Sequence, residues 1–167
     1  LHQFPNTHML FVGPRSDTHD PKLSTFSREI ADLIATSGAA DQVHFAGIVD
    51  DVENYLRASD ISLLASSREG TPNSVLEAMA TRLPCVVTSY LGISAGIGQP
   101  GEHYRLVERN HPAIALALTS LLQNQEQMTI FGDKGRRYIV DHVDQQRSLD
   151  HYAELYEELA ANAMRRR

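Results

Sequence analysis

The stretch from Ile61 to Ala80 limits the possible folds more than any other part of this chain. Ile61-Ser62-Leu63-Leu64-Ala65 is an apolar run of strand length. A polar turn follows, Ser66-Ser67-Arg68-Glu69-Gly70. Thr71-Pro72 then makes a good N-cap and first-turn pair, and Asn73 or Ser74 would cap one register later. Val75, Leu76, Met79 and Leu83 recur at helical spacing. A strand that passes through a short turn into a helix is the repeating unit of a parallel sheet. The turn also leaves backbone N–H groups open at the positive end of a helix, which suits a phosphate.

Two glutamates bracket that turn. Glu69 precedes the helix, and Glu77 lies within it, off the apolar stripe and about two turns in. A carboxylate accepts two hydroxyl hydrogen bonds at once, so it suits a vicinal diol such as a ribose or a sugar edge. A phosphate-binding helix end with a diol reader on either side describes a site for a sugar nucleotide. A capped core helix carrying two solvated glutamates is the plainer alternative.

The rest of the chain repeats the strand-helix alternation. His8 to Val12 reads as a strand ending at Gly13, followed by the polar loop Gly13-Pro14-Arg15-Ser16-Asp17. Asp20-Pro21 reads as a cap and first turn, and Leu23, Phe26, Ile30, Leu33 and Ile34 form an apolar stripe that stops at Gly38. Val43-His44-Phe45-Ala46-Gly47 is a short strand, and Asp50 or Asp51 caps the next helix. Strands at Cys85 to Thr88 and Tyr104 to Val107 follow. Helices start at Asn110-His111-Pro112, at Gln125 (running to Val140), and at Ser148 or Asp150. The last one aligns Tyr152, Leu155, Tyr156 and Leu159, and its tyrosines read as packing residues. The expected fold class is α/β, a Rossmann-like parallel sheet with helices on both faces, in a single domain spanning 1–167. Ligands of such sheets bind at the carboxyl ends of the strands, where Gly13, Gly47 and the turn at Glu69 all fall.

Composition removes several function classes. A net charge of −6 argues against nucleic acid as a partner. Arg165-Arg166-Arg167 offsets a helix dipole or, as a second reading, touches a membrane surface in the full protein. The single cysteine, Cys85, forbids an internal disulfide and fits a cytoplasmic, reducing setting. Acidic residues Asp50, Asp51 and Glu53 suit a first helical turn without any metal. Gly96, Gly98 and Gly101 match a dinucleotide fingerprint literally, but Pro100-Gly101 leads into a strand rather than a helix, so the stretch reads as a loop. The eight histidines show no paired spacing.

Glu69-Gly70-Thr71-Pro72 running to Leu76-Glu77-Ala78-Met79-Ala80 resembles the signature of retaining GT-B glycosyltransferases of glycosyltransferase family 4. The resemblance extends from about His8 to about Leu159 in the order of its weaker motifs. It implies the C-terminal, donor-binding half of a two-domain enzyme that moves a sugar from a nucleotide-diphosphate sugar to an acceptor, without a metal or cofactor. Glu69 would face the donor sugar, and Glu77 would take the ribose diol. The amides of Gly70, Thr71, Asn73, Ser74 and Val75, around Pro72, would hold the diphosphate. Gly13 would border the donor, and Ile48 would lie against the base of a UDP-, GDP- or ADP-sugar. In the family this half opens with a further strand and a loop carrying an arginine and a lysine. Leu1 falls after that point, so the first strand is expected to be missing, with the acceptor domain elsewhere. The strands near His8 and Ile61 must then pair directly, leave a gap, or borrow a strand from another copy as a homo-oligomer. The family also has glycine where Arg82 stands. A sugar-nucleotide epimerase of the same fold and a non-catalytic binding or interaction module are the alternative readings.

Overall fold

The computed structural model describes residues 4–14, 21–90, 97–143 and 145–165. The expectations placed on Arg15 to Asp20, on Gly92 to Gly96 and on Arg166 and Arg167 therefore lie outside the described residues, as does the side chain of Leu23. The chain forms two compact units, Leu1–Tyr55 and Leu56–Arg167.

In the first unit, strand β1 (Met9–Val12) leads through helix α1 (Pro21–Thr36) to strand β2 (Val43–Gly47). The strands pair in parallel, Met9 opposite Val43 and Phe11 opposite Phe45, with a register shift that sets Val12 against Gly47. A helix between parallel neighbours is the crossover that such pairing requires. Gly13 and Gly47 follow with positive φ, and Gly13 N–H donates to the Gly47 carbonyl at 2.8 Å. Gln42 Nε2 donates to the carbonyls of Phe4, Pro5 and Thr7, tying down the lead-in. Two strands offer little surface to cover. Ala39 is the buried hydrophobic residue of this unit among those described, while Phe26 and Leu33 on the α1 stripe stay exposed.

Helix α2 (Val52–Arg57) follows, with Asp51 just before it. The Asp51 carboxylate accepts from the Asn54 side chain.

The second unit carries a three-stranded parallel sheet in the order β3 (Ser62–Leu64), β4 (Cys85–Thr88), β5 (Arg105–Val107). All four residues of β4 are buried, as expected for the middle strand of a sheet covered on both faces. Its side chains alternate. Cys85 and Val87 join helix α3 (Asn73–Ala80) through Val75, Ala78 and Met79, with Leu83, Tyr90, Ile97 and Tyr104. Val86 points the other way, to Ala117 and Leu121 of helix α4 (His111–Leu122) and Met128 of helix α5 (Gln125–His142). Period-two alternation along one strand thus divides the core into its two layers.

The helix ends are locally specified. Asn110 caps α4 by accepting from Ala113 N–H, and Asn124 caps α5 by accepting from Gln127 N–H. At the end of α3, Leu83 N–H donates to the Ala78 carbonyl and Arg82 N–H to the Met79 carbonyl. This is a Schellman closure, and it puts Arg82 in the left-handed region at φ 65. Helix α5 lies so close that a Cβ on Gly132 would sit 2.2 Å from the Arg82 carbonyl oxygen.

Two expectations need correction. Thr71 does not cap α3: the capping position is Pro72, which gives no side-chain hydrogen bond, and the helix begins at Asn73. The last helix, α6 (Gln145–Arg165), starts before Ser148 and Asp150, and its Tyr152 and Tyr156 are 59% and 68% exposed rather than packed. The strands form a pair, β1–β2, and a triplet, β3–β4–β5. No helix among the described residues is long and apolar enough to cross a membrane.

Candidate functional site

The turn between β3 and α3 is held from below. Thr88, fully buried at the end of β4, donates its hydroxyl to the carbonyls of Ser66 (3.0 Å) and Leu64 (3.3 Å). Ser66 Oγ in turn donates to the Arg68 carbonyl at 3.0 Å. The backbone leaving β3 is therefore fixed before it reaches Glu69. Sequence reasoning noted Thr88 as a strand residue but not this tether. A hydroxyl closing an otherwise apolar strand was the available signal.

The open amides are fewer than expected. Pro72 has no N–H, Asn73 N–H donates to the Thr71 carbonyl (2.9 Å), and Val75 N–H donates to the Pro72 carbonyl (2.9 Å). Among the described residues, the amides of Gly70, Thr71 and Ser74 find no carbonyl partner. These three N–H groups stand at the N-terminal end of α3, where the helix dipole favours an anion. The Val75 side chain is core.

Both carboxylates flank that end. Glu69 is half-buried in the turn, and Glu77 is exposed on α3, about one turn from Asn73 rather than two. Neither forms an ion pair among the described residues. Glu69 also acts on Tyr90: burial and then the nearby Glu69 charge push the Tyr90 phenol above its ordinary value. That neighbour was not anticipated, because nothing in the spacing of the two residues marks them as close.

Gly13 and Ile48 belong to the first unit. Each lies just past a strand end, and the Ile48 side chain is 80% exposed. The histidines, which show no pairing along the sequence, do pair in space: His8 Nδ1 lies 2.9 Å from His44 Nε2. Among the described residues no group of three or more ligating side chains could hold a metal ion.

Residues 1–124 match the family described as glycosyl transferases group 1. The chain belongs to the glycosyl transferases group 1 family. An uncharacterized glycosyltransferase of Haemophilus influenzae is 35% identical over 138 residues, covering 80% of this chain and 36% of that protein. An N-acetyl-alpha-D-glucosaminyl L-malate synthase of Bacillus anthracis is 28% identical over 127 residues, covering 76% of this chain and 33% of that protein. Among solved structures, the C-terminal domain of a group 1 glycosyl transferase, LpcC of Francisella tularensis, is similar with a TM-score of 0.67 at 26% identity, over 75% of this chain and 66% of that one. Sucrose-phosphate synthase of Thermosynechococcus elongatus has the same fold, with a TM-score of 0.83 at 24% identity, over 96% of this chain and 40% of that one. The resemblance seen in the Glu69 to Ala80 signature thus holds, and the fold is that of a C-terminal GT-B Rossmann-like domain. The group 1 chain spans about a third of the length of the curated relatives it matches first (33%, 29% and 38%).

Proposed function

We propose that this chain is the donor-binding domain of a retaining glycosyltransferase that takes its sugar from a nucleotide-diphosphate sugar. The carrying observation is the strand-turn-helix at Glu69. Among the described residues, three amides with no carbonyl partner lie between two carboxylates with no ion-pair partner. The amides of Gly70, Thr71 and Ser74 take the diphosphate and spread its charge as it leaves. Glu69 faces the donor sugar, where a carboxylate steadies positive charge developing at the anomeric carbon during front-face displacement or through a short-lived oxocarbenium ion. Glu77, further along α3, accepts from the ribose hydroxyls. The reaction runs without a metal, with the acceptor held by an N-terminal domain. A structure of similar fold, Anabaena HepE, was solved with UDP and with UDP-glucose, which is in keeping with such a donor.

The test is a titration of UDP-, GDP- and ADP-sugars, and of the bare diphosphates, followed by amide shifts at Gly70, Thr71 and Ser74. Glu77→Ala is expected to weaken both the sugar nucleotide and its diphosphate. Glu69→Ala is expected to weaken only the sugar-bearing ligand. Each lost charged hydrogen bond corresponds to about 1.5–3 kcal/mol, roughly 10- to 100-fold in affinity. Binding that ignores both substitutions would make this a module with another role.

A further inference from the structure

We propose that His8 and His44 form a two-imidazole site for a divalent transition cation such as nickel(II) or copper(II). His44 stands opposite Leu10 in the β1–β2 register, and His8 shares the Leu10 face because side chains alternate along a strand. The rings meet with His8 Nδ1 2.9 Å from His44 Nε2 and centroids 5.1 Å apart, and both side chains are exposed. With metal–nitrogen bonds of about 2.1 Å, nitrogens at a right angle lie about 3.0 Å apart, whereas tetrahedral ones lie about 3.4 Å apart. From 2.9 Å the two nitrogens need to part by only a few tenths of an ångström to reach either arrangement, which a turn of two exposed rings supplies, and imidazole suits nickel(II), copper(II) and zinc(II).

The two nitrogens now share one hydrogen between them, and the cation takes its place. In the cation-bound form each neutral ring carries its single proton on the outward nitrogen, Nε2 of His8 and Nδ1 of His44, so no proton is lost overall. Each ring turns so that its lone pair aims at the ion instead of at its neighbour, a movement that exposure permits. Among the described residues no third ligating side chain joins them, so water completes the shell. The ion bridges neighbouring strands and would bind the folded form of this two-stranded sheet preferentially.

The untagged full chain titrated with nickel chloride should show broadening at the ring signals of His8 and His44 before the other six of its eight histidines. Magnesium and calcium, which take oxygen ligands, should do nothing. Excess free imidazole should reverse the effect on the unaltered chain, which tests ligation without relying on any variant. His8→Asn and His44→Asn should each lower nickel affinity about tenfold or more, since one ligand holds the other's ion at high local concentration. Equal broadening at all histidines, or unchanged nickel affinity in both variants, would overturn the proposal.

Discussion

Arg82 is a single residue with a measurable conflict. It occupies the left-handed position of the α3 closure, where a Cβ costs about 1–2 kcal/mol. Its guanidinium pairs with Asp133, but both side chains are largely in solvent, so the pair offsets little. Arg82→Gly should raise stability by about 1 kcal/mol, read as a higher urea midpoint at unchanged slope. This conflict was legible in the sequence because the resembling family places glycine there. Cys85 makes a different prediction. Burial, opposed by a hydrogen bond with Ser62, pushes its thiol from 9.0 up to about 12. The folded state therefore keeps a proton that the unfolded state releases, so the stability contribution is whole below about pH 9 and declines as pH rises toward 12, by about 1.4 kcal/mol per unit. Unfolding midpoints across pH 8 to about 11 should fall, and fall less steeply in Cys85→Ala, once the tyrosines that titrate above 10 are subtracted by that comparison.

The elements differ in how much holds them. Strand β4 is buried on both faces between α3 and α4, whereas β1 and β2 form a two-stranded sheet with Leu10, Phe11 and Phe45 exposed. Two strands alone are marginal. Native-state hydrogen exchange should find β4 amides opening only with global unfolding, and those of β1 and β2 opening at much lower free energy. Strand β4 was readable from Cys85-Val86-Val87 because a strand covered on both faces is apolar throughout. The start of α3 was misread at Thr71. A threonine before proline has the chemistry of a cap, yet here the chain turns once more, through the hydrogen bond from Asn73 N–H to Thr71, before the helix begins. The His8–His44 contact was illegible for another reason: 36 residues and a whole crossover separate the partners, and spacing along a chain carries no trace of strand register.

For the molecule as a whole, the affinity expected of this chain alone is modest. A helix end contributes about 0.3–1 kcal/mol and each charged hydrogen bond about 1.5–3, before ordering costs are subtracted. That leaves a dissociation constant for the donor near ~1 mM. Calorimetry or ligand-observed NMR should find binding of that order. Submicromolar binding would contradict it. The family and the fold could be read from fifteen residues around Glu69 because a phosphate site on a strand-turn-helix is a local device. The division of the strands into a pair and a triplet could not, since it depends on which edges find partners.

The bifurcated hydroxyl of Thr88 has one more effect. By holding the carbonyls of Leu64 and Ser66 at once, it leaves the loop that bears Glu69 little slack. An arriving donor would meet a rigid cradle instead of a floppy one, so recognition here would look like a key entering a cut lock, with little reshaping on contact.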